Sequence, residues 1–356
     1  MSGLLRRWYE KYFTNSEAIV LVLILVGGFV LVKTMGAVLA PIIASLVIAY
    51  LLLWSVEQLR VFKIPKNMAL LGVYAAFISV FLGLVLIAVP MLWQQVALLL
   101  EELPKMIQHV QGELNQLSQR FPDFFSQANI DQILHETSQN MHGLTKRVLT
   151  VSLASIPTFI TMLVYLILIP VLVFFFLKDR DMLVSWLTYW LPRDRALLVR
   201  VWKEVDMQLG NYIRGKVAQI LIVGTANFLV FAIFGLKYAA LLACLVGLSV
   251  IVPYVGAALV TVPVVLVALF QWGIDDTFIY LLLGYALIQA LDANILVPYL
   301  FSSAVNIHPV AIVAAVLFFG DMWGFWGVFF AIPLATLVKA VLNAWPRDDD
   351  TNIQLS

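Results

Sequence analysis

Of the 21 acidic residues in this 356-residue chain, only Asp292 and Asp321 fall in the hydrophobic C-terminal third away from an evident loop. Placing a charged carboxylate at the centre of a membrane helix costs at least about 2.5 kcal/mol, so Asp292 must face protein or a wet cavity. Gln289 precedes it by three residues and Asn294 follows by two. On a regular helix Gln289 shares the Asp292 face, while Asn294 is turned about 200° away. Such a group can bind a proton or cation and release it against a polar ligand. Asp292 is then the group whose charge changes, and Gln289, Asn294 and Tyr254 orient the ligand by hydrogen bonds. The same residues serve equally well as an interhelical hydrogen-bond cluster. Asp321 sits in the tight turn Gly320-Asp321-Met322-Trp323-Gly324.

Prolines and glycines surround this cluster. Val252-Pro253-Tyr254-Val255-Gly256 and Val297-Pro298-Tyr299-Leu300 place similar breaks in neighbouring apolar segments, and Pro309 and Pro333 bracket the last hairpin. A broken helix releases backbone carbonyls and exposes helix ends, which is how many transporters build midplane sites; a simple kink is the plainer alternative. Gly320, Gly324 and Gly327 supply a small-residue face suited to a hairpin turn or an oligomer contact. His308 stands just before Pro309, where it reads as a helix cap, with proton gating as the alternative.

Other chemistries find little support. Gly210-Asn211-Tyr212-Ile213-Arg214-Gly215-Lys216-Val217 is one residue short of a phosphate-binding loop, with Val217 where a Mg²⁺-binding hydroxyl belongs and no strand pattern before it. It reads as a helix end at the cytoplasmic membrane surface, with Arg214 and Lys216 as candidate contacts for an anion. His109, His135 and His142 lie in polar helical sequence, and His109 and His135 lack metal-ligand spacing. No Ser, His and Asp set suggests nucleophilic catalysis, so neither an enzyme nor a cofactor is expected. The single cysteine, Cys244, lies in an apolar run and excludes an intrachain disulfide.

The elements that must carry these residues are membrane helices. Hydrophobic residues make up 62% of the chain and charged residues 12%, against about 45–50% and 25% in soluble proteins. A net charge of +1 argues against a nucleic-acid partner. Apolar runs cover 18–32, 37–54, 68–90, 151–177, 217–234, 239–252, 257–270, 277–300, 310–319 and 325–341. A helical span needs about 20 residues, so 239–252 and 310–319 are short, and each pairs with its successor as two crossings or one re-entrant hairpin. Without a cleavage site after the first run, that run is retained as a span.

Lys and Arg cluster in three connections: Arg6, Arg7 and Lys11; Arg60, Lys63 and Lys66; and eight basic residues over 178–216. By the positive-inside rule these are cytoplasmic, as are both termini. Residues 91–150 hold four basic and six acidic residues and fall outside. There Leu92, Val96, Leu99, Leu103, Ile107, Val110, Leu114 and Leu117 form one amphipathic stripe. Ile130, Ile133, Leu134, Met141, Leu144 and Val148 form a second beyond Pro122. This helical insertion rests on the membrane or on itself, or contacts another subunit. Residues 178–216, with Trp186, Trp190 and Trp202, read as interfacial helices divided at Pro192.

The expected organisation is an all-α polytopic membrane protein with about eight transmembrane segments, broken or re-entrant hairpins among them. Spans 1–3 occupy 1–90, the extracytoplasmic insertion 91–150, the fourth span 151–177 and the interfacial helices 178–216. A C-terminal bundle follows over 217–345 and a tail over 346–356.

Several strings, taken in order, resemble the autoinducer-2 exporter (AI-2E) family and its PerM permease branch. They are Phe174-Phe175-Phe176-Leu177-Lys178-Asp179, Asn211-Tyr212-Ile213-Arg214-Gly215 and Val252-Pro253-Tyr254-Val255-Gly256-Ala257. The tail adds Gln289-Ala290-Leu291-Asp292, Asn294, Val297, Pro298, Val305, His308, Pro309, the three glycines and Ala331-Ile332-Pro333-Leu334-Ala335, and Trp93-Gln94-Gln95 and Trp202-Lys203-Glu204 extend the likeness to nearly the whole chain. The resemblance implies a bacterial inner-membrane protein with seven or eight spans, an insertion between the third and fourth, and a homo-oligomer such as a pentamer. It also implies transport, since relatives export a signalling molecule or exchange sodium for protons. Lys216 departs from the pattern, because many members carry Gln after the glycine.

Together these readings point to a permease or secondary transporter that exports a small molecule or exchanges cations. Its path would lie between the Pro253 to Gly256 break, the Gln289 to Asn294 cluster with Pro298, and the last hairpin with His308. Membrane lipids and a small-molecule or ionic substrate are its expected partners. The alternative is a non-transporting scaffold that presents residues 91–150 to a partner protein.

Overall fold

In the computed structural model, residues 16–120, 156–191, 196–253, 255–301 and 307–344 are described. All regular structure among them is helical, as the run pattern requires. The chain forms α1 (Ser16–Val61), α2 (Lys66–Gly83), a π-helical turn (Leu84–Ala88), α3 (Val89–Arg120), α4 (Ile156–Lys178), α5 (Arg180–Tyr189) and α6 (Ala196–Phe234). There follow α7 (Ala239–Ser249), α8 (Val255–Trp272), α9 (Asp276–Leu291), a second π turn (Asp292–Leu296) and α10 (Val297–Phe301). The last elements are α11 (Pro309–Trp323), α12 (Phe325–Phe329) and α13 (Ala331–Ala344).

Five helical stretches are long and apolar enough to cross a membrane: Val38–Val61, Lys66–Met106, Val201–Phe234, Val255–Trp272 and Asp276–Phe301. Shorter apolar helices include Ala239–Ser249 and Pro309–Trp323, which fall where the sequence shows its short runs, and Ala331–Val341. The outward faces of the long stretches are strongly apolar; Ile233 is 80% exposed and Leu86 68%. A fold with such surfaces belongs in lipid. The chain is a polytopic all-α membrane protein.

The runs 18–32 and 37–54 form two helices in series within α1, meeting at a kink at Met35, whose φ of −120° and ψ of 19° leave the helical region. Both π turns have one cause. Pro90 and Pro298 each follow a π turn by two residues. A proline ring clashes with the carbonyl four residues back, and a turn widened by one residue moves that carbonyl aside. Val89 N–H accordingly reaches Leu84 O, and Val297 N–H reaches Asp292 O. The expected break at Pro298 is therefore a widened but continuous helix.

The described residues divide into two compact units. One holds those up to Tyr74, those of Leu168–Gly215 and those from Leu300 on; the other holds those of Ala75–Ile167 and Lys216–Tyr299.

In the first unit, Tyr50 Oη donates to the Asp206 carboxylate at 3.0 Å, and Lys66 Nζ pairs with Asp181 at 2.8 Å. Gly327 packs against the Phe319 carbonyl, so α11 and α12 make a turn too tight for any side chain there. Tyr212 Oη donates to Phe329 O at 2.8 Å beside that turn.

The second unit has a core of Val223, Phe231, Leu242, Val246, Val264, Val267, Leu281 and Tyr285. Gly224 of α6 meets Gly247 of α7 so closely that a methyl on Gly247 would stand 3.0 Å from Ile220 O. Helix α3 joins this core: Met106 is 1% exposed, and Leu99 and Leu103 pack beside it. Gln95 Oε1 also accepts the Leu241 N–H at 3.0 Å, one of the amides that the first turn of α7 leaves without a helical partner. The described part of the insertion thus packs on α7 and α8 of its own chain. The second stripe, 130–148, lies outside the described residues.

Candidate functional site

Gly210–Gly215 fall inside α6, a single helix of 39 residues. The near-match to a phosphate loop is thus helix interior rather than helix end, and its amides are committed to helical bonds. Lys216, expected at the cytoplasmic surface, is 4% exposed. An ammonium taken out of water needs compensation close by, and three groups of the second unit supply it.

The first is a carbonyl made available by the chain break. Helix α7 ends at Ser249, because Pro253 cannot continue it and Gly256 packs against the Ser249 carbonyl where a side chain would collide. The final carbonyls of a helix lack helical partners and carry its negative dipole end. One of them, Val250 O, accepts from Lys216 Nζ at 2.6 Å. The close crossing at Gly224 and Gly247, one to two turns away on each helix, holds α7 near enough to α6 for this bond.

The second is Gln219, one turn along α6 and 2% exposed. Its Oε1 accepts from Lys216 Nζ at 3.0 Å. The third is Asp292, whose oxygens accept from Gln219 Nε2 at 2.8 and 3.0 Å. Only this amide orientation matches donors to acceptors, since an ammonium can only donate and a carboxylate only accept. The charges are linked through a polarised amide instead of touching.

Asp292 is half-buried and opens the second π turn. The ammonium end of the chain is closed and the carboxylate end is partly open. A proton or cation approaching Asp292 meets a carboxylate held by hydrogen bonds from one side, with a fixed positive charge behind it. Protonating one Asp292 oxygen leaves the other to accept from Gln219 but turns a charge-assisted bond into a weaker neutral one, so a change of charge there reaches Lys216 through one side chain.

The other expected site residues are placed differently. Asn294 is exposed, and its Nδ2 donates to Ala290 O at 2.8 Å within the helix. Pro298 is also exposed. Gln289 is half-buried, and its Nε2 is buried without a partner. Pro253 and Gly256 act by shaping the break; Tyr254 lies outside the described residues. In the first unit, Arg214 donates to Asn211 Oδ1 at 2.8 Å. His308 caps α11, its Nδ1 accepting the Val310 N–H at 3.3 Å with Pro309 at the first helical position. Asp321 is exposed. Among the described residues, no group of three His, Cys, Asp or Glu side chains could hold a metal ion.

Gln219 escaped sequence reasoning. The available signal was its step of three from Lys216 at the start of an apolar run, which puts a cation and an amide on one helix face.

Residues 19–347 match the model of the family described as "AI-2E family transporter". Over 346 residues the chain is 44% identical to "Putative permease PerM" of Escherichia coli (strain K12), spanning 97% of this chain and 98% of that protein. It is 27% identical over 309 residues, 85% of each chain, to "Putative transport protein YrrI" of Bacillus subtilis (strain 168). A further relative in that organism, "Putative transport protein YueF", is 29% identical over 302 residues, 82% of this chain and 80% of its own.

Proposed function

This chain belongs to the AI-2E transporter family, and from that premise we propose that it is a bacterial inner-membrane secondary transporter in which Asp292 is the ion-coupling group. It exports a small polar molecule or exchanges cations, its termini face the cytoplasm, and it works as a homo-oligomer without enzymatic activity. The bonded series from Val250 O through Lys216 and Gln219 to Asp292 carries the reading, because it joins a broken helix, a buried cation and a half-open carboxylate. Purely structural clusters at membrane depth are normally closed on themselves. This one ends on a group that can still exchange a proton.

In the proposed cycle, Asp292 in its charged form holds Gln219 and, through it, Lys216. Binding of a proton or cation at Asp292 relaxes that hold, and release restores it. The cycle couples ion occupancy to the packing of α6, α7 and α9 around the break.

The test is flux across proteoliposomes loaded with a pH-sensitive dye, under proton and sodium gradients and with current recorded in parallel, for wild type and Asp292→Asn. Gradient-driven flux should fall at least about tenfold in the variant, the loss of one transition-state contact or more. Flux with unchanged magnitude and pH dependence would refute the coupling role.

A further inference from the structure

The buried face of α6 continues past Gln219 to Val223, Asn227 and Phe231, at steps of four. Asn227 is 0% exposed. Its Nδ2 donates to Val223 O at 2.8 Å, while its Oδ1 is buried without a partner. On α9 the face that carries Asp292 also carries Gln289, whose buried Nε2 has no partner, and Tyr285. One acceptor and one donor are thus unsatisfied on two helices of the same unit, an arrangement that native membrane interiors rarely tolerate.

Two contacts fix the register between these helices. Gln219 meets Asp292, and Phe231 stacks on Tyr285 with ring centroids 6.2 Å apart. Position rises along α6 as it falls along α9, so the helices run antiparallel here. Asn227 lies between the two contacts on α6, about 12 Å above Gln219, and Gln289 lies between them on α9, about 4.5 Å above Asp292. Helical side chains lean toward their own N-terminus, which carries Asn227 back toward Gln219 and Gln289 on toward Tyr285. The Asn227 bond to Val223 O displays that lean directly. The leans turn the two amides toward one another along the interface, across a rise of about 7.5 Å between their backbone positions.

Just beyond stands a hydroxyl pair. Thr261 Oγ1 donates to Ala257 O at 2.7 Å, which commits its hydrogen, so the 2.8 Å contact with Tyr285 Oη is donated by the tyrosine. Tyr285 Oη keeps acceptor capacity, adding a third polar atom along the path.

We propose that Asn227 Oδ1 and Gln289 Nε2 together hold one hydroxyl oxygen between α6 and α9, a second binding station deeper than Asp292 on the same transport path. A hydroxyl or a water is the smallest group that donates to the one atom and accepts from the other. The station stands between Asp292 and the Thr261–Tyr285 pair, so polar stepping points extend from Lys216 to Tyr285 along one helix face. This assignment builds on the transport reading of Asp292, but its test does not depend on flux.

The experiment replaces each amide by an apolar side chain with the same number of heavy atoms, Asn227→Leu and Gln289→Met, in the full chain in lipid nanodiscs. If the amides bind nothing, removing an unpaired buried polar group stabilises the protein and Tm rises. If they hold a hydroxyl, each variant strands the other amide, and Tm falls by about 2–4 °C. A rise or no change in either variant overturns the proposal. Radiolytic labelling in ¹⁸O water then separates the two sources. Label on Tyr285 and Phe231 in the wild type, lost in both variants, assigns the oxygen to water. A fall in Tm without such label assigns it to a small hydroxyl compound retained through purification, which native mass spectrometry weighs. Loss of flux in Asp292→Asn is read separately, so either assignment can fail while the other stands.

Discussion

Lys216 donates to the Val250 carbonyl at 2.6 Å, so the helix break before Pro253 and the buried charge on α6 form one structural device. The carbonyl is available because α7 stops, and the ammonium can be buried because the carbonyl is there. Gln219 extends the device to Asp292.

Removing the ammonium should therefore expose this dependence. Lys216→Met leaves the Asp292 carboxylate without its compensating charge and should cost about 3 kcal/mol, the low end for a broken buried pair because Asp292 is half-open. Adding Asp292→Asn should recover part of that loss. Unfolding of single and double variants in matched bicelles gives the coupling energy, and strictly additive losses would show that Gln219 transmits nothing.

Gln219→Leu cuts the series in the middle and strands both neighbours. A loss of about 2 kcal/mol is expected, within the range for hydrogen bonds to charged groups. The pH dependence of flux should change with it, which dye-loaded vesicles read directly.

Gly256→Ala tests the break itself. A methyl there collides with the Ser249 carbonyl, which is backbone and cannot yield, so about 3 kcal/mol should be lost. Gly72→Ala is the control, since a methyl at that position meets open space. Equal melting temperatures for the two variants would contradict the packing described.

His308→Ala should lose the cap on α11, about 1 kcal/mol, and leave the pH profile of flux where it was. A displaced profile would restore the proton-gating role and demote the cap.

Outside the membrane spans, Tyr238 is pushed up to about 12, by burial first and then by its hydrogen bond and charge interaction with Glu102. The folded state therefore keeps the phenolic proton longer than the unfolded chain does. The resulting stability is complete below the ordinary tyrosine value of about 10 and is lost as pH rises from there through about 12. Glu102→Gln should lower the tyrosinate titration of Tyr238, read as the difference in absorbance between that variant with and without Tyr238→Phe. An unshifted titration would leave burial as the sole cause.

Much of this protein was already legible as sequence. Apolar runs of membrane length leave a chain no alternative to helices in lipid, because a backbone there must satisfy its own hydrogen bonds. The short runs, the stop at Pro253 and the cap at His308 follow from local rules on length, proline and side-chain acceptors, all of which act within a few residues. Asp292 stood out for the same reason, as a carboxylate where lipid would be its neighbour.

What the tertiary structure decided is which residue answers which. Asn294 and Asp292 are two positions apart in the chain but share no bond, whereas Gln219 reaches Asp292 from 73 positions away. Lys216 passed for a surface charge because its sequence neighbours Arg214 and Gly215 suggest one; only the approach of α7, permitted by Gly224 and Gly247, turns it inward onto Val250 O. Helix periodicity assigns residues to faces, but the partner of a face depends on how closely two backbones approach and in which register. Those distances arise from packing between helices and are written in no single segment of sequence.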